Sequence, residues 1–170
     1  MPATTVYLLL GSNLGDRERN LGAARDRLAH IPGIELIDAS AIYISEADGM
    51  EGENPAFLNQ VVKAEYAYRA QELLDELEKI ERLLGRTDKG GKLPRPIDLD
   101  ILLFGDAVIA TDRLTVPHRE LLHRGFVMIP LLQIDPELVH PVTREPIAAS
   151  VTDDHRNQVL LYKEYAARFI

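Results

Sequence analysis

The sequence predicts an α+β fold in which an antiparallel or mixed sheet is covered by helices. Segments rich in β-branched residues alternate with segments whose apolar residues recur every three or four positions. They form two β-α-β-like halves, and short turns join some of the strands as hairpins. The 170 residues contain no internal repeat and no Ser/Gly/Pro linker, so we expect residues 1–170 to form a single domain.

The first half of the chain is predicted to contain three strands and one helix. The strand segments are aliphatic and β-branched, and the first of them ends at Gly11. The helical segment places Leu21, Ala24 and Leu28 at helical spacing. The strands are expected over residues 4–10, 34–44 and 58–68, and the helix over residues 14–30.

The second half is predicted to contain a strongly amphipathic helix, a strand and two short helices. The amphipathic helix is followed by Gly85, a residue typical of helix C-termini. The strand covers 97–104, and residues 107–110 are expected to pair with it through a turn at Gly105 and Asp106. The helices are expected over residues 70–84, 118–123 and 125–133.

Composition and charge exclude several functional classes. Apolar residues make up 46% of the chain and charged residues 27%, which is ordinary for globular proteins. The net charge of −8 repels polyphosphate, so we expect neither nucleic acid nor a membrane as a partner. No cysteine is present, and the apolar run over 6–10 is too short for a signal segment. These features favour a cytoplasmic location.

Two aspartates alternate with apolar residues in the strand predicted over 97–104. Asp98 and Asp100 fall on one face, where like charges repel unless a cation lies near them. Mg²⁺ commonly binds one or two carboxylates together with phosphate oxygens, so the pair suits a metal-bound triphosphate. The alternative is a solvated face with Lys or Arg partners. The opposite face is expected to carry Ile97, Leu99, Ile101 and Leu103.

The segment before this strand is basic in an otherwise acidic chain. Residues 82–96 hold five positive residues and one acidic residue, and several glycines. Arginine binds phosphate oxygens through two parallel hydrogen bonds, so this segment suits a phosphate clamp beside the aspartates. A flexible, solvated loop is the alternative.

Two further segments suit ligand binding. Phe57 and Asn59 lie two apart at the start of a strand, which places a ring and an amide on one side, as a flat heteroaromatic ligand requires. A core Phe with a turn-capping Asn is the alternative. Residues 11–16 follow a strand and open a helix, but they lack the Lys-Ser/Thr of a P-loop, and Asp16 is equally suited to be a helix N-cap.

Four segments occur in a fixed order: GSNLGD, NPAFLN, PRPIDLDILLFGD preceded by Gly-Arg, and LTVPHRELLHRGFVMIPL. Together they resemble the 6-hydroxymethyl-7,8-dihydropterin pyrophosphokinases of folate synthesis, over residues 5 to about 141. The resemblance implies a ferredoxin-like α+β fold. It also implies transfer of the terminal pyrophosphoryl group of ATP to the pterin hydroxymethyl oxygen, leaving AMP.

The resemblance also implies roles for individual residues. ATP would be the co-substrate and two Mg²⁺ ions the metals, held by Asp98 and Asp100. Arg86 and Arg95 would stabilise charge on the transferred group, and Glu81 matches a site-lining acid, although a solvated helix charge is the simpler account. The nucleotide-binding positions would be Arg113, Thr115, His118, Arg124 and Lys92. The pterin-binding positions would be Ser45, Phe57, Asn59 and Phe126.

The basic segment departs from the family pattern. Residues 91–95 read Gly-Lys-Leu-Pro-Arg where better-known members have Arg-Trp-Gly-Pro-Arg, and Asp88 replaces a second Arg. We expect Lys89 or Lys92 to supply some of the lost positive charge.

Two functions are alternatives to a pyrophosphokinase. They are a nucleotidyl transferase that releases pyrophosphate and a non-catalytic module that binds pterin or nucleotide. We expect a monomer or a weak homodimer.

Overall fold

The computed structural model describes residues 2–46, 55–86 and 93–166. Its main sheet has six strands, and a two-stranded hairpin stands apart from it. The strands are β1 (Thr4–Ser12), β2 (Ile34–Ala39), β3 (Ile42–Ser45), β4 (Phe57–Tyr66), β5 (Asp98–Phe104), β6 (Ile109–Ala110), β7 (Thr115–Val116) and β8 (Val159–Lys163). The helices are α1 (Arg17–Leu28), α2 (Ala70–Leu83), α3 (Gly125–Ile134) and α4 (Asp153–Asn157), with a 3₁₀ turn at Ile147–Ser150.

The main sheet has the strand order β5-β1-β4-β3-β8, and β2 pairs with β4 beside β3. Each of these pairings is antiparallel. The element order β1-α1-β2/β3-β4-α2-β5 is the β-α-β-β-α-β arrangement of a ferredoxin-like fold. The prediction of an α+β fold with helices covering an antiparallel sheet is therefore confirmed.

The sheet is apolar on both faces because helices cover both. On one face, α1 and α2 pack on the sheet through the core that contains Leu8 and Leu10. On the other face, α3 packs on a second core that contains Tyr7 and Leu9. The alternation along β1 thus divides its side chains between two cores. Among the described residues, no helix combines the length and the apolar character that crossing a bilayer requires.

The strand predicted over 34–44 is two strands, β2 and β3. Between them, the backbone N–H of Ser40 donates to the Val61 carbonyl (2.9 Å), and the Ser40 hydroxyl accepts from the Val61 N–H (3.0 Å). One residue of β4 is therefore bonded both to the backbone and to the side chain of Ser40. At the bend, this side-chain bond takes the place of one backbone bond of the ladder.

A bulge changes the predicted alternation of β5. Leu8 pairs with Ile101 but Tyr7 pairs with Leu103, so Leu102 is the extra residue. Leu103 consequently lies in the α3 core, whereas Ile97, Leu99 and Ile101 lie in the α1/α2 core. The prediction that Leu103 shares their face was wrong. Asp98 and Asp100 precede the bulge and keep a common face.

Two local predictions after β5 were also wrong. Residues 107–110 do not pair with β5, because β6 forms a hairpin with β7 that is closed by Thr111 and Leu114: the Thr111 N–H donates to the Leu114 carbonyl (2.9 Å). Residues 118–123 form turns rather than a helix. The N–H of Glu120 donates to His118 Nδ1 (3.1 Å), a side-chain bond that competes with helical pairing.

Candidate active site

The register of the sheet brings together residues that are far apart in sequence. Asp98 of β5 pairs with Gly11 of β1, Gly11 with Asn59 of β4, and Asn59 with Tyr43 of β3. Directly paired residues of antiparallel strands present their side chains on the same face. Asn59 lies two residues from Val61, which belongs to the α3 core. The row therefore lies on the α3 face of the sheet.

Phe57 and Ser45 extend this row. They pair with each other across β3 and β4, and each lies two residues from a member of the row. The Asn59 amide donates to the Ser45 hydroxyl (2.8 Å) in a buried contact. Three of the four predicted pterin-binding residues are thus adjacent, and the Phe57 ring is half-buried rather than part of a core. This arrangement excludes the alternative of a core Phe with a turn-capping Asn.

Gly11 separates the carboxylates from the ring and the amide. A Cβ at this position would lie 3.4 Å from Asn59 Oδ1 and 3.4 Å from Phe57 Cδ1. These are close to the limit of ordinary contacts, so a side chain larger than a methyl group would crowd both neighbours. The absence of a side chain keeps the space between Asp98 and Asn59 open.

Arg86 joins α2 to the aspartate row. Its guanidinium is buried, pairs with Glu81 (3.0 Å) and forms a second short ion pair with Asp98. Burial opposes the charge on Arg86, but the carboxylates of Asp98 and Glu81 outweigh it and raise the pKa of the guanidinium. Arg86 is therefore a fixed cation beside the predicted metal ligand.

Glu81 is a structural anchor of this ion pair. It is only 2% exposed, and its Oε2 accepts from both Arg86 Nη1 and the Leu99 N–H (2.8 Å). A solvated helix charge is therefore the wrong account of Glu81. Its carboxylate connects the last turn of α2 to the start of β5.

Arg95 contacts the other carboxylate oxygen of Asp98. Its Nη1 lies 3.4 Å from Asp98 Oδ2, and its guanidinium carbon lies 5.9 Å from the centroid of the Phe57 ring. Asp98 therefore contacts two guanidinium groups, so this carboxylate has the arginine partners that one interpretation of the sequence expects. Both arginines come from the basic segment, residues 82–96, that the sequence indicates as a phosphate clamp.

Asn13 is a site residue that sequence reasoning missed. It is fully buried; its Oδ1 accepts from the Arg95 N–H (2.8 Å), and its own N–H donates to the Arg95 carbonyl (3.1 Å). Its Nδ2 donates to the carbonyl of Pro55 (3.3 Å). One amide thus holds the backbone before β5 against the backbone before β4. The sequence feature that could have indicated this role is an Asn directly after a buried strand, within the GSNLGD segment.

His118 lies near the second aspartate. Its Nε2 is 4.0 Å from Asp100 Oδ2, and its Nδ1 accepts from the Glu120 N–H. Because Nδ1 is an acceptor, the neutral ring carries its proton on Nε2, the nitrogen that faces Asp100. Burial lowers the pKa of His118. The ring is therefore a neutral Nε2–H donor at the carboxylate pair.

Arg124 and Phe126 lie at the start of α3. Arg124 is the N-cap residue of α3, and its Nε donates to Glu120 (3.0 Å). Phe126 is half-buried against the α3 core, on the same face of the sheet as Asn59. Both predicted binding residues thus belong to the face that carries the aspartate row.

Two predicted nucleotide-binding residues lie on the hairpin β6-β7. Arg113, at its turn, pairs with Asp75 (2.8 Å) and Glu78 (2.7 Å) of α2, and Thr115 is exposed. The ion pairs raise the pKa of Arg113. Within the described ranges, the contacts of Arg113 are with α2 rather than with the aspartates. Lys92, together with Lys89, lies outside the described residues.

Asp98 and Asp100 are the candidate ligands for a divalent cation. Within residues 2–46, 55–86 and 93–166, no cluster of three or more His, Asp or Glu side chains could hold a metal ion. Two carboxylates on one strand face nevertheless suit Mg²⁺, which takes further ligands from phosphate and water. The residues therefore fit a metal that arrives with a triphosphate better than a resident ion.

This arrangement of carboxylates, arginines and an aromatic–amide pair lies within a segment that matches a known family. A profile of the 7,8-dihydro-6-hydroxymethylpterin-pyrophosphokinase (HPPK) family matches residues 7–136. The chain belongs to the HPPK family. The matched range contains each predicted site residue from Ser45 to Phe126, whereas α4 and β8 lie beyond it.

Curated relatives agree with this assignment. A 2-amino-4-hydroxy-6-hydroxymethyldihydropteridine pyrophosphokinase of Aquifex aeolicus is 45% identical over 143 residues, which cover 84% of this chain and 88% of the relative. An enzyme of the same name from Haemophilus influenzae is 38% identical over 137 residues, covering 81% and 85%. The folic acid synthesis protein fol1 of Schizosaccharomyces pombe is 38% identical over 159 residues, and the match spans 22% of its length.

Solved structures agree on the fold. The crystal structure of Plasmodium falciparum HPPK-DHPS A437G with STZ-DHP has a TM-score of 0.68 and 14% identity, covering 87% of this chain and 45% of that one. The same A437G protein with SDX-DHP gives a TM-score of 0.66 and 15% identity, with 87% and 42% covered. This HPPK-family chain thus spans less than half of those longer chains.

Proposed function

We propose that this chain is a diphosphokinase that transfers the pyrophosphoryl group of ATP to 6-hydroxymethyl-7,8-dihydropterin. The hydroxymethyl oxygen attacks the β-phosphorus, the bond between that phosphorus and the α,β-bridging oxygen breaks, and AMP leaves. The hydroxyl proton is lost to solvent or to product phosphate. The match to the HPPK family over residues 7–136 carries this proposal.

Asp98 and Asp100 are proposed to bind two Mg²⁺ ions together with the triphosphate. When bound, Mg²⁺ would neutralise phosphate charge and align the reacting oxygens. The common face of the two side chains supports this role, and so does the fit of a two-carboxylate donor set to a phosphate-bound cation. The proposed Mg²⁺ dependence is tested by measuring product formation when a chelator replaces Mg²⁺.

Arg86 and Arg95 are proposed to stabilise the transferred group. Both already contact Asp98, each at a different carboxylate oxygen, so triphosphate oxygens near Asp98 would lie within their range. A guanidinium can bind two such oxygens at once. Arg86 is fixed by Glu81, whereas Arg95 is more exposed. Arg95 is therefore the more accessible of the two to the reacting phosphates, and Arg86 has the additional role of organising Asp98.

Ser45, Phe57, Asn59 and Phe126 are proposed to bind the pterin. Phe57 and Phe126 supply aromatic faces on the same side of the sheet, and the buried Asn59 presents an amide that is oriented by Ser45. A pterin is flat and carries donors and acceptors at its edge, which suits such a pair of surfaces. Gly11 leaves room between this pocket and the phosphates.

ATP is proposed to bind through His118, Arg124 and the hairpin residues. The Nε2–H of His118 faces the carboxylate pair, where phosphate oxygens would accept its hydrogen bond. Arg124 supplies a further cation, and Arg113 and Thr115 lie on the β6-β7 hairpin beside α2. Lys92 is assigned to the nucleotide on the sequence alone. The cytoplasmic location, the single-domain organisation and the monomeric or weakly dimeric state stay predictions.

The deciding experiment is product analysis. Purified protein is incubated with ATP, Mg²⁺ and the pterin, and AMP, ADP and pyrophosphate are separated by chromatography. Matched reactions omit the pterin or replace Mg²⁺ by a chelator. We expect AMP and pterin diphosphate only in the complete reaction. Release of pyrophosphate would favour a nucleotidyl transferase, and binding without any product would favour a non-catalytic module.

A further inference from the structure

The C-terminal segment, residues 152–163, contacts both sides of the proposed pterin pocket. This segment contains α4 and β8 and lies beyond the family match. On one side, Val159 of β8 pairs with Ser45 of β3. On the other side, Gln158 Oε1 accepts a hydrogen bond from the N–H of Gly125 (2.9 Å), the first residue of α3. Two consecutive residues therefore connect β3 to the start of α3.

The bond from Gln158 replaces a missing cap. The first N–H groups of a helix have no partner within the helix, and the N-cap residue usually supplies an acceptor. Arg124 occupies the N-cap position of α3 and makes no such bond with its side chain. Gln158, 33 residues later in the chain, provides the acceptor for Gly125 instead. The geometry of the Arg124–Phe126 turn thus depends on a side chain from outside it.

Gly125 shows how closely the C-terminal segment approaches. A Cβ on Gly125 would lie 2.0 Å from the carbonyl oxygen of His155, a distance that no side chain tolerates. The α4 backbone is itself fixed, because Thr152 and His155 form a capping box through mutual side-chain-to-backbone bonds. Only glycine allows α4 to contact the start of α3 at this distance.

We infer that Gln158 is a positioning residue for the pterin pocket, and that it acts by fixing Phe126 relative to Ser45. The inference rests on the proposed function, because it assumes that Phe126 and Ser45 contact the pterin. Arg124 has a separate ion pair with Glu120. The nucleotide side should therefore depend less on Gln158 than the pterin side does.

The test compares Gln158→Ala with Gln158→Glu, which keeps an acceptor oxygen. The matched control is Asn157→Ala, which truncates the neighbouring exposed amide. We expect Gln158→Ala to raise the KM for the pterin roughly 3- to 10-fold, the range given by loss of one hydrogen bond, with a smaller change in the KM for ATP. Gln158→Glu should restore the pterin KM, and Asn157→Ala should leave both values unchanged.

A second variant acts at the other side of the contact. Gly125→Ala should displace α4 and also raise the pterin KM, and adding Gln158→Ala to it should produce little further increase, because both changes break one contact. An unchanged pterin KM in Gln158→Ala, an equal rise in both KM values, or failure of Gln158→Glu to restore it would overturn the inference. Inactive wild-type protein would instead count against the proposed function itself.

Discussion

Replacing Glu81 by Gln tests whether the buried ion pair holds α2 to the aspartate strand. The Oε2 of Glu81 accepts from Arg86 and from the Leu99 N–H, and the side chain is 2% exposed. A Gln oxygen can accept both bonds but carries no charge. Hydrogen bonds to charged groups contribute about 1.5–3 kcal/mol, against about 1 kcal/mol for neutral ones.

Arg86 keeps its second partner, Asp98, so the loss should stay below the roughly 3–5 kcal/mol of a fully broken buried pair. The difference is about 0.5–2 kcal/mol for each of the two bonds, so we expect Glu81→Gln to lower the free energy of unfolding by about 1–3 kcal/mol. For a chain of this size, that corresponds to a decrease in Tm of roughly 2–12 °C.

Glu78→Gln is the matched control. Glu78 lies one turn earlier on α2 and also pairs with an arginine, Arg113, but at the surface. Such a pair contributes about 0–1 kcal/mol. Urea unfolding at one pH, monitored by circular dichroism, measures the free energy of unfolding of both variants. A loss below about 0.5 kcal/mol in Glu81→Gln, or an equal loss in Glu78→Gln, would refute the assignment of Glu81 as an anchor.

Three further predictions concern the site. Asp100→Ala should abolish turnover while urea unfolding stays cooperative; turnover like that of the wild type would contradict the proposed metal role. Arg95→Ala should mainly slow the chemical step in single-turnover experiments, so an unchanged rate would count against its proposed contact with phosphate. Burial lowers the pKa of His118 in the folded state below its ordinary value of 6.5. Just below pH 6.5 the unfolded chain therefore binds more protons than the folded chain, and the free energy of unfolding falls as the pH decreases through that region. His118→Gln should reduce this slope between pH 5 and 7.5, and an unaltered slope would be the contrary result.

The elements that carry a strong local pattern were predictable from the sequence. The amphipathic helix predicted over 70–84 is α2 at Ala70–Leu83, and the segment predicted over 125–133 is α3 at Gly125–Ile134. Glu81 shows what was missed within such a pattern. It lies four residues after Leu77, on the apolar face of α2, so its burial could have been inferred from spacing.

Features that depend on pairing between distant strands were not predictable. The bulge at Leu102 comes from its pairing with β1, and no property of residues 97–104 alone indicates it. The row that joins Asp98 to Asn59 through Gly11 likewise exists only in the sheet register. Family resemblance supplied the candidates Ser45, Arg113 and Thr115, which no local pattern would have selected.

Arg86 has a practical consequence for any study of this chain. The same guanidinium pairs with Glu81 in the buried contact between α2 and β5 and also contacts Asp98. Variants of Arg86 will therefore mix loss of folded protein with loss of chemistry, and their kinetics alone will not separate the two. A folded but inactive reference protein is better made at Asp100, which is partly exposed and lies outside the buried Arg86–Glu81 ion pair.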